Sequence, residues 1–438
     1  MPSYRSLARN HDFRALWIGQ TVSEVGSRMS MFVFPLLAYL LTGSALVAAA
    51  AEALHLLGLA GALLPAGVLA DRVDRRRIMR TASGAGVLLY ASLAVAGLLG
   101  SLTVPHLLVV ALLTGVGAGM FMPAEIAALP LVVTREELPT ALSQNQARLH
   151  VAALVSAPLG GLLLGVARWL PFAVDAVTFA VSWVLLGRLR TDLSPAPRAG
   201  RADRADGGRP GAGRRPLAEM AEGARFVWSR PFFRVLMVWG ALTNLAVNAL
   251  FFVAVLRLVA DGTDAVHIGL VEAAAGLAGI TGAVLAPWLV ERFATGSLTV
   301  VVAWSFVPLV VPMALWNEPL VVALALGAGM LVNPAGNAGI ASYRIAVTPP
   351  ELVGRVQSTS QFVSMSAMPL SPLLAGLLLE AWGGAAAILA LGALTALVAC
   401  LPTFSRSVRA VPRPADWERY VAPEVPAPVA APAASAVA

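Results

Sequence analysis

Glu24 and Arg28 stand four residues apart inside a long apolar run, 14–41. That spacing puts both side chains on one face of a helix, where they either neutralise each other or face a cavity together. Glu52, Glu125, Arg148, Asp175 and Glu272 are embedded in apolar runs of the same kind. A charge in hydrocarbon costs at least ~2.5–3.5 kcal/mol on insertion scales, so each needs a partner or a function. Glu52 and Glu272 read either as proton carriers or as solvated charges reaching an interface. Glu125 and Arg148 lie at similar depth on neighbouring runs, and read as a buried structural pair or as a proton site. Asp175 stays among the proton candidates, although a fold-specific hydrogen bond is its plainer role. Asn244 and Asn248 repeat the i, i+4 spacing without charge and suit hydrogen bonding to a solute. His55 and His150 are isolated, no metal set surrounds them, and packing is their default.

Other chemistry lacks its parts. The sequence has no phosphate-binding glycine loop, no His/Glu metal cluster and no Gly-x-Ser-x-Gly elbow. It therefore offers no machinery for an ATP-driven pump or a membrane hydrolase, and it calls for no cofactor.

The elements that carry these residues follow from composition. Of 438 residues 58% are hydrophobic and 13% charged, with a mean hydropathy of +0.77. Soluble domains carry roughly 25% charged residues. This chain has too little polar sequence to coat a soluble surface, and reads as an all-α polytopic membrane protein. Twelve runs are long enough to cross ~30 Å of hydrocarbon: 14–41, 46–70, 78–100, 104–132, 139–167, 170–189, 233–257, 264–290, 297–316, 319–346, 353–380 and 384–404. The joins between runs three and four, and nine and ten, are the least marked.

All 31 basic residues are arginine, and their placement is uneven. Arg5, Arg9 and Arg14 precede the first run, and Arg72, Arg75, Arg76, Arg77 and Arg80 follow the second. Arg188 to Arg234 flank the middle segment, and Arg406, Arg409, Arg413 and Arg419 follow the last run. The opposite loops, 42–45, 101–105, 258–266 and 317–318, have only Arg257 at an edge, with Asp261, Asp264 and Glu318. The positive-inside rule places both termini and the middle segment in the cytoplasm. The net charge of +7 then reflects topology and anionic lipid rather than nucleic acid. The first run lacks a cleavage site and is expected to be retained. Cys400 is the single cysteine, so no intramolecular disulfide exists.

The chain divides into a six-helix bundle over 1–190, a cytoplasmic linker with an amphipathic helix over 191–230, a second bundle over 231–405, and a disordered tail over 406–438. The linker is rich in Pro, Gly, Ala, Arg and Asp as far as residue 216. PLAEMAEGARFVWSR then shows an apolar face at helical spacing.

The two bundles repeat one another. A shift of 220 residues pairs Phe13-Arg14 with Phe233-Arg234, Glu24 with Asn244, Arg28 with Asn248, Glu52 with Glu272, and Asp71-Arg72 with Glu291-Arg292. Further along, GAGMFMPA from Gly117 faces GAGMLVNPA from Gly327, and Pro158 faces Pro372. Polar matches inside apolar runs are harder to obtain by accident than apolar ones. Two parallel six-helix halves with a solute path between them is an architecture of secondary transporters.

The segment GVLADRVDRRR, Gly67 to Arg77, packs four arginines and two aspartates around a turn between two runs. It resembles the loop signature Gly-x-x-x-Asp-Arg-x-Gly-Arg-Arg of the major facilitator superfamily, with Gly67, Asp71, Arg72, Arg75 and Arg76 in its places. Asp74 stands where glycine is usual. RNHDFRALWIGQTVSEVG, PFAVDAVTF, EGARFVWSRPFFR and PPELVGRVQS are similar to the branch that contains macrolide and enterobactin-type siderophore exporters. Two features depart from the family. LLVVALLTGVGAG lacks the arginine of proton-coupled members, and the antiporter motif Gly-Pro-x-x-Gly-Gly stands here as SAPLGG.

The resemblance implies a monomeric, multi-pass protein of the bacterial cytoplasmic membrane, working by proton-driven alternating access. Its solute would be a drug, a macrolide-like antibiotic, a siderophore or an own metabolite, moved outward. Proton-coupled uptake on the same fold is the alternative, and a transport-dead membrane sensor a more distant one. The proton-coupling candidates are Glu24, Glu52, Glu125, Glu272 and Asp175. Arg28, Asn244, Asn248 and Arg148 are the cavity candidates. The conformational switch comprises the Gly67–Arg76 loop with Glu291, Arg292 and Arg355. Asp71 is expected to close the cytoplasmic side by facing the positive N-terminal end of the eleventh run, near Leu352 to Arg355, a contact of roughly 0.3–2 kcal/mol. Glu291-Arg292 lacks the arginine run, so the N-terminal half carries most of this switch. Asp71→Asn should therefore insert normally and transport poorly; full transport activity in the variant would refute the role.

Overall fold

The computed structural model describes residues 2–70, 72–134, 136–194, 224–349 and 352–417. Among them are twelve helices long and apolar enough to cross a membrane, and no strand. They are α1 (His11–Thr42), α2 (Ala45–Ala70), α3 (Arg75–Leu98), α4 (Val104–Val132), α5 (Leu138–Val166), α6 (Leu170–Gly187), α7 (Pro231–Ala260), α8 (Ala265–Arg292), α9 (Thr295–Leu315), α10 (Pro319–Ala346), α11 (Val353–Ser366 with Leu370–Trp382) and α12 (Gly384–Phe404). Both weakly marked joins exist. Gly100, at φ 67°, turns the chain between α3 and α4, and Trp316 to Glu318 separate α9 from α10.

Prolines lie inside unbroken helices in both halves, Pro287 in α8 and Pro402 in α12 of the second, and at interruptions in the second half. Pro35, Pro65, Pro123, Pro130 and Pro158 sit inside unbroken helices. Pro308, Pro334 and Pro369 lie at interruptions of α9, α10 and α11, where a missing N–H and a ring clash end the regular ladder.

Helices approach through glycine. A Cβ on Gly115 of α4 would lie 2.0 Å from the carbonyl oxygen of His55 on α2, and one on Gly119 2.4 Å from that of Leu59. In lipid, close backbone approach replaces the hydrophobic effect as the source of helix association. The halves meet through α2 with the second segment of α11, and through α5 with α8. Here too glycine makes the contact. A Cβ on Gly161 would lie 2.0 Å from the Ala265 oxygen, one on Gly269 2.4 Å from that of Ala157, and one on Gly376 3.0 Å from that of Ala45. Ala157 to Gly161 belong to SAPLGG. All these residues lie at the distal end, away from the termini, so the halves form a seam there. The first segment of α11 packs on α7 of its own half. The distal α5–α6 turn also holds Arg168, an arginine to set beside those of the opposite loops.

Latches gather at the proximal end. Asn10 caps α1 and donates to the Val132 oxygen at 2.9 Å, while Ser6, in the short helix Pro2–Arg9, donates to Glu137. The hydrogen bond from Ser6, followed by that from the Thr134 backbone, holds the Glu137 carboxyl below its usual range. This latch is therefore present near neutral pH and lost as pH falls through that lowered value. The tail departs from expectation. Arg406–Arg409 is a helical turn, Val408 and Val411 are buried, and the oxygens of Val411 and Pro412 accept the Gly296 and Thr295 amides at 3.1 and 3.3 Å. Residues up to 417 pack because these carbonyls satisfy the unpaired first amides of α9. Of the expected linker, 195–223 lie outside the described residues, and 224–229 are helical.

Gly161→Val should wedge the seam open, while Gly165→Val, whose Cβ meets nothing within 4 Å, should not. Labelling of a cysteine placed at the distal seam reads this directly. Equal labelling in both variants would show that the seam does not depend on the glycine.

Candidate functional site

Four charges gather in the N-terminal half. On α1, Arg28 Nε donates to Glu24 Oε1 at 2.6 Å, and both side chains are partly exposed. Arg148 on α5 reaches Glu125 on α4 with Nη2–Oε1 of 2.9 Å, and its side chain is 4% exposed. Each of the two ion pairs is balanced in charge. Arg148 Nε and Nη1 have no hydrogen-bond partner, an uncommon state for a buried guanidinium. The Ser156 hydroxyl of α5 lies between two backbone acceptors, the Ala152 oxygen of its own helix at 2.5 Å and the Val25 oxygen of α1 at 3.0 Å, and shares its one proton between them.

Glu52 on α2 and Glu272 on α8 are half-buried, and neither has a hydrogen-bond or ion-pair partner among the described residues. Glu52 lies three residues after Ala49, which a Cβ on Gly376 of α11 would meet at 2.7 Å, and Glu272 three residues after Gly269, which faces Ala157 of α5.

Asp175 has different surroundings. It is fully buried on α6, accepting from Ser30 of α1 at 2.6 Å and from Thr178 at 2.7 Å. A Cβ on Gly26 would lie 2.1 Å from its Oδ1, so the glycine lets α1 settle onto this carboxyl. The group ties α1 to α6. Gln20 of α1 extends the tie to Ser182 at 3.3 Å.

On α7, Asn244 donates to the Ser364 oxygen of α11 at 2.9 Å. The interruption of α11 turns the Met368 amide to Met365, which frees that oxygen. Asn244 therefore completes a broken helix, and Asn248 donates back to the Asn244 oxygen at 2.7 Å. His55 contacts Thr114 at 3.4 Å, and His150 is exposed. No group of three or more metal-ligating side chains occurs among the described residues.

Of the loop residues, Gly67 closes the last turns of α2, and Arg72 is exposed. Asp71 lies outside the described residues, as do Pro350 and Glu351, so the expected Asp71–α11 contact does too. Arg75 and Arg76 hold the segment after α6, donating to the oxygens of Leu193 at 3.1 Å and Thr191 at 2.6 Å. Glu291 and Arg292 are exposed at the end of α8, and Arg355 lies in the first turn of α11.

Three polar side chains acquire roles that the sequence reading gave no one. Asp12 accepts the Thr191 amide at 2.7 Å and the Arg190 amide at 3.0 Å, anchoring the same segment as Arg75 and Arg76. Ser156 of α5 reaches the Val25 oxygen of α1. Arg257 Nη1 donates to the oxygens of Met313 and Ala314 at the end of α9, at 2.9 and 3.1 Å. A cation near a helix C-terminus is the signal that could have found it. Asp12 and Ser156 depend on segments distant in sequence and give no local signal.

Comparison with known proteins follows the architecture. The model of the Major Facilitator Superfamily matches residues 16–343. The multidrug efflux pump Tap of Mycolicibacterium fortuitum is 28% identical over 402 residues, covering 88% of this chain and 93% of that protein. The enterobactin exporter EntS of Salmonella typhimurium is 25% identical over 299 residues, 68% of each. Among solved structures, a bacterial homologue of the iron transporter ferroportin in an inward-facing state has a TM-score of 0.67 at 17% identity, covering 91% of this chain and 98% of that one. The D-xylose-proton symporter has a TM-score of 0.63 at 13% identity, covering 89% and 96%. These structures share the fold.

Arg148→Met leaves the Glu125 carboxylate buried and alone, a loss of about 3–5 kcal/mol when one side of a buried pair is removed. Adding Glu125→Gln should recover most of it in thermal unfolding of the detergent-solubilised protein. Single and double variants that melt together would show that the pair contributes nothing.

Proposed function

This chain belongs to the Major Facilitator Superfamily as a multi-pass transporter of the bacterial cytoplasmic membrane, and from that premise we propose that it exports an amphiphilic small molecule in exchange for protons. The likeness to an efflux pump over nearly the whole chain carries the direction, and the shorter likeness to a siderophore exporter agrees with it. The arginine bias puts the proximal end in the cytoplasm. On that reading the distal seam faces outward.

The proton side of the proposal rests on carboxylates within the spans. Glu24 and Glu125 are paired with arginine, and Asp175 with hydroxyl groups. Glu52 and Glu272 have no such compensation, which suits groups that take up and release a proton. The solute side rests on the partly exposed Glu24–Arg28 pair and on Asn248, offering a few polar contacts among apolar walls, the usual make-up of a small-molecule site. Drug, macrolide-like antibiotic, siderophore and own metabolite all fit such a site, and the carrier works as a monomer.

Everted membrane vesicles test the exchange. Accumulation of a fluorescent amphiphile driven by an acidic interior should fall to the level of vesicles lacking the protein when the pH gradient is collapsed. Undiminished accumulation would refute proton coupling. The uptake reading predicts instead that deletion of the gene lowers entry of a nutrient and leaves drug susceptibility unchanged.

A further inference from the structure

The first turns of α3 carry Arg75, Arg76, Arg77 and Arg80, and three of them are engaged. Arg75 and Arg76 hold the Leu193 and Thr191 oxygens, and the Arg80 guanidinium lies 4.6 Å from the centre of the Trp183 ring. Arg77 is exposed and has no hydrogen-bond or ion-pair partner among the described residues. It stands at the proximal mouth of a groove of about 520 Å³ between α3 and α4, with Leu69 of α2 and Val73 beside it.

Beyond this mouth the groove is apolar apart from one hydroxyl. It follows α3 along Thr81, Ala85 and Leu88, and its other wall includes Leu113, Val116 and Gly117 of α4. The Thr81 hydroxyl is spent on the Arg77 oxygen at 2.7 Å, which leaves the guanidinium as the free polar group. Arg77 to Leu88 spans ~16 Å of helix, and one leaflet is about half of ~30 Å of hydrocarbon. The groove therefore runs the depth of a single leaflet. Leu88 is 74% exposed, and α3 packs on α4 and α6 of its own half, so the groove faces acyl chains rather than the path between the halves. Gly117 leaves its floor open. A Cβ there would meet nothing within 4 Å, whereas Gly115 and Gly119 are pressed against α2.

We propose that this groove seats an anionic phospholipid of the cytoplasmic leaflet, with one acyl chain along Ala85, Leu88, Val116 and Gly117 and the phosphate on Arg77. A planar guanidinium takes a phosphate through two parallel hydrogen bonds. The sign of the headgroup follows from what the mouth lacks. A zwitterionic lipid brings an ammonium group that asks for a carboxylate, and no acidic side chain lines the groove among the described residues. Asp74, three residues before Arg77, is occupied in accepting the Arg76 amide at 2.9 Å. The arginine bias assigns the mouth to the cytoplasmic side. The site is independent of the direction and the coupling of transport.

Native mass spectrometry of the full chain in detergent tests this, with titration by phosphatidylglycerol or by phosphatidylcholine of the same chains. The parent should hold its first phosphatidylglycerol about fivefold more tightly than phosphatidylcholine, the worth of one arginine at an anionic surface. Arg77→Gln should remove that preference and leave phosphatidylcholine binding unchanged. Arg292→Gln, which takes an exposed arginine from the proximal end of the other half, should alter neither lipid. Gly117→Leu should fill the floor and weaken both, and Ala85→Leu fills the same space from the opposite wall. Unchanged thermal unfolding identifies the variants that fold. Equal affinity of the parent for the two lipids, or equal losses in Arg77→Gln and Arg292→Gln, would overturn the anionic site. Lipid binding untouched in both groove-filling variants would overturn the groove as its seat. Displacement of phosphatidylglycerol by a phosphate-free fluorescent amphiphile would make the groove a solute site instead.

Discussion

Close approach of backbone to backbone is the constraint on which this structure depends. Lipid tails are as apolar as leucine, so helices gain little by burying leucine against each other. What remains is dispersion and dipolar contact at short range, and this requires the absence of a side chain at chosen points. Gly115 and Gly119 provide it between α2 and α4, and Gly26 does so where α1 meets Asp175. Gly161, Gly269 and Gly376 use the same device between the halves. Such contacts fall off steeply with distance, so the distal seam is either made or lost. A carrier needs that property.

The polar groups sort by whether they serve one half or both. Asp175, Ser30, Gln20 and Ser182 stitch α1 to α6 within the first half. Asn244 repairs the interruption of α11, and Arg257 closes α9, both within the second. The balanced pair at Arg148 belongs to the first half alone. The proximal latches, Ser6 to Glu137, Asp12 to residues 190–191, and the tail on α9, likewise stay within their own halves. With internal ties made locally, each half can move as a body.

Much of this was legible in the sequence. Helix limits follow from apolar length, and the expected spans match the observed ones closely because a bilayer imposes one thickness on every element. The i, i+4 spacing of Glu24 and Arg28 announced their pairing, since one helix contains both. Glu125 and Arg148 could be placed at equal depth, but their contact depends on the rotation of two helices. Pairings such as Asp12 with Thr191, or Ser156 with Val25, join segments whose relation only the packed structure defines. The tail illustrates another limit. Its Pro/Ala-rich composition suggests disorder, yet Val411 and Pro412 meet an unmet demand for acceptors at the start of α9 that composition does not reveal.

The interruptions in α9, α10 and α11 have no counterpart among α1 to α6, where proline is absorbed into continuous helices. A continuous helix is stiff along its length, whereas an interruption of its ladder is a point where it can bend. The two halves share a pattern of sequence and differ in the continuity of their helices. The C-terminal half thus carries the points where a helix could bend around a solute, while its other helices stay continuous.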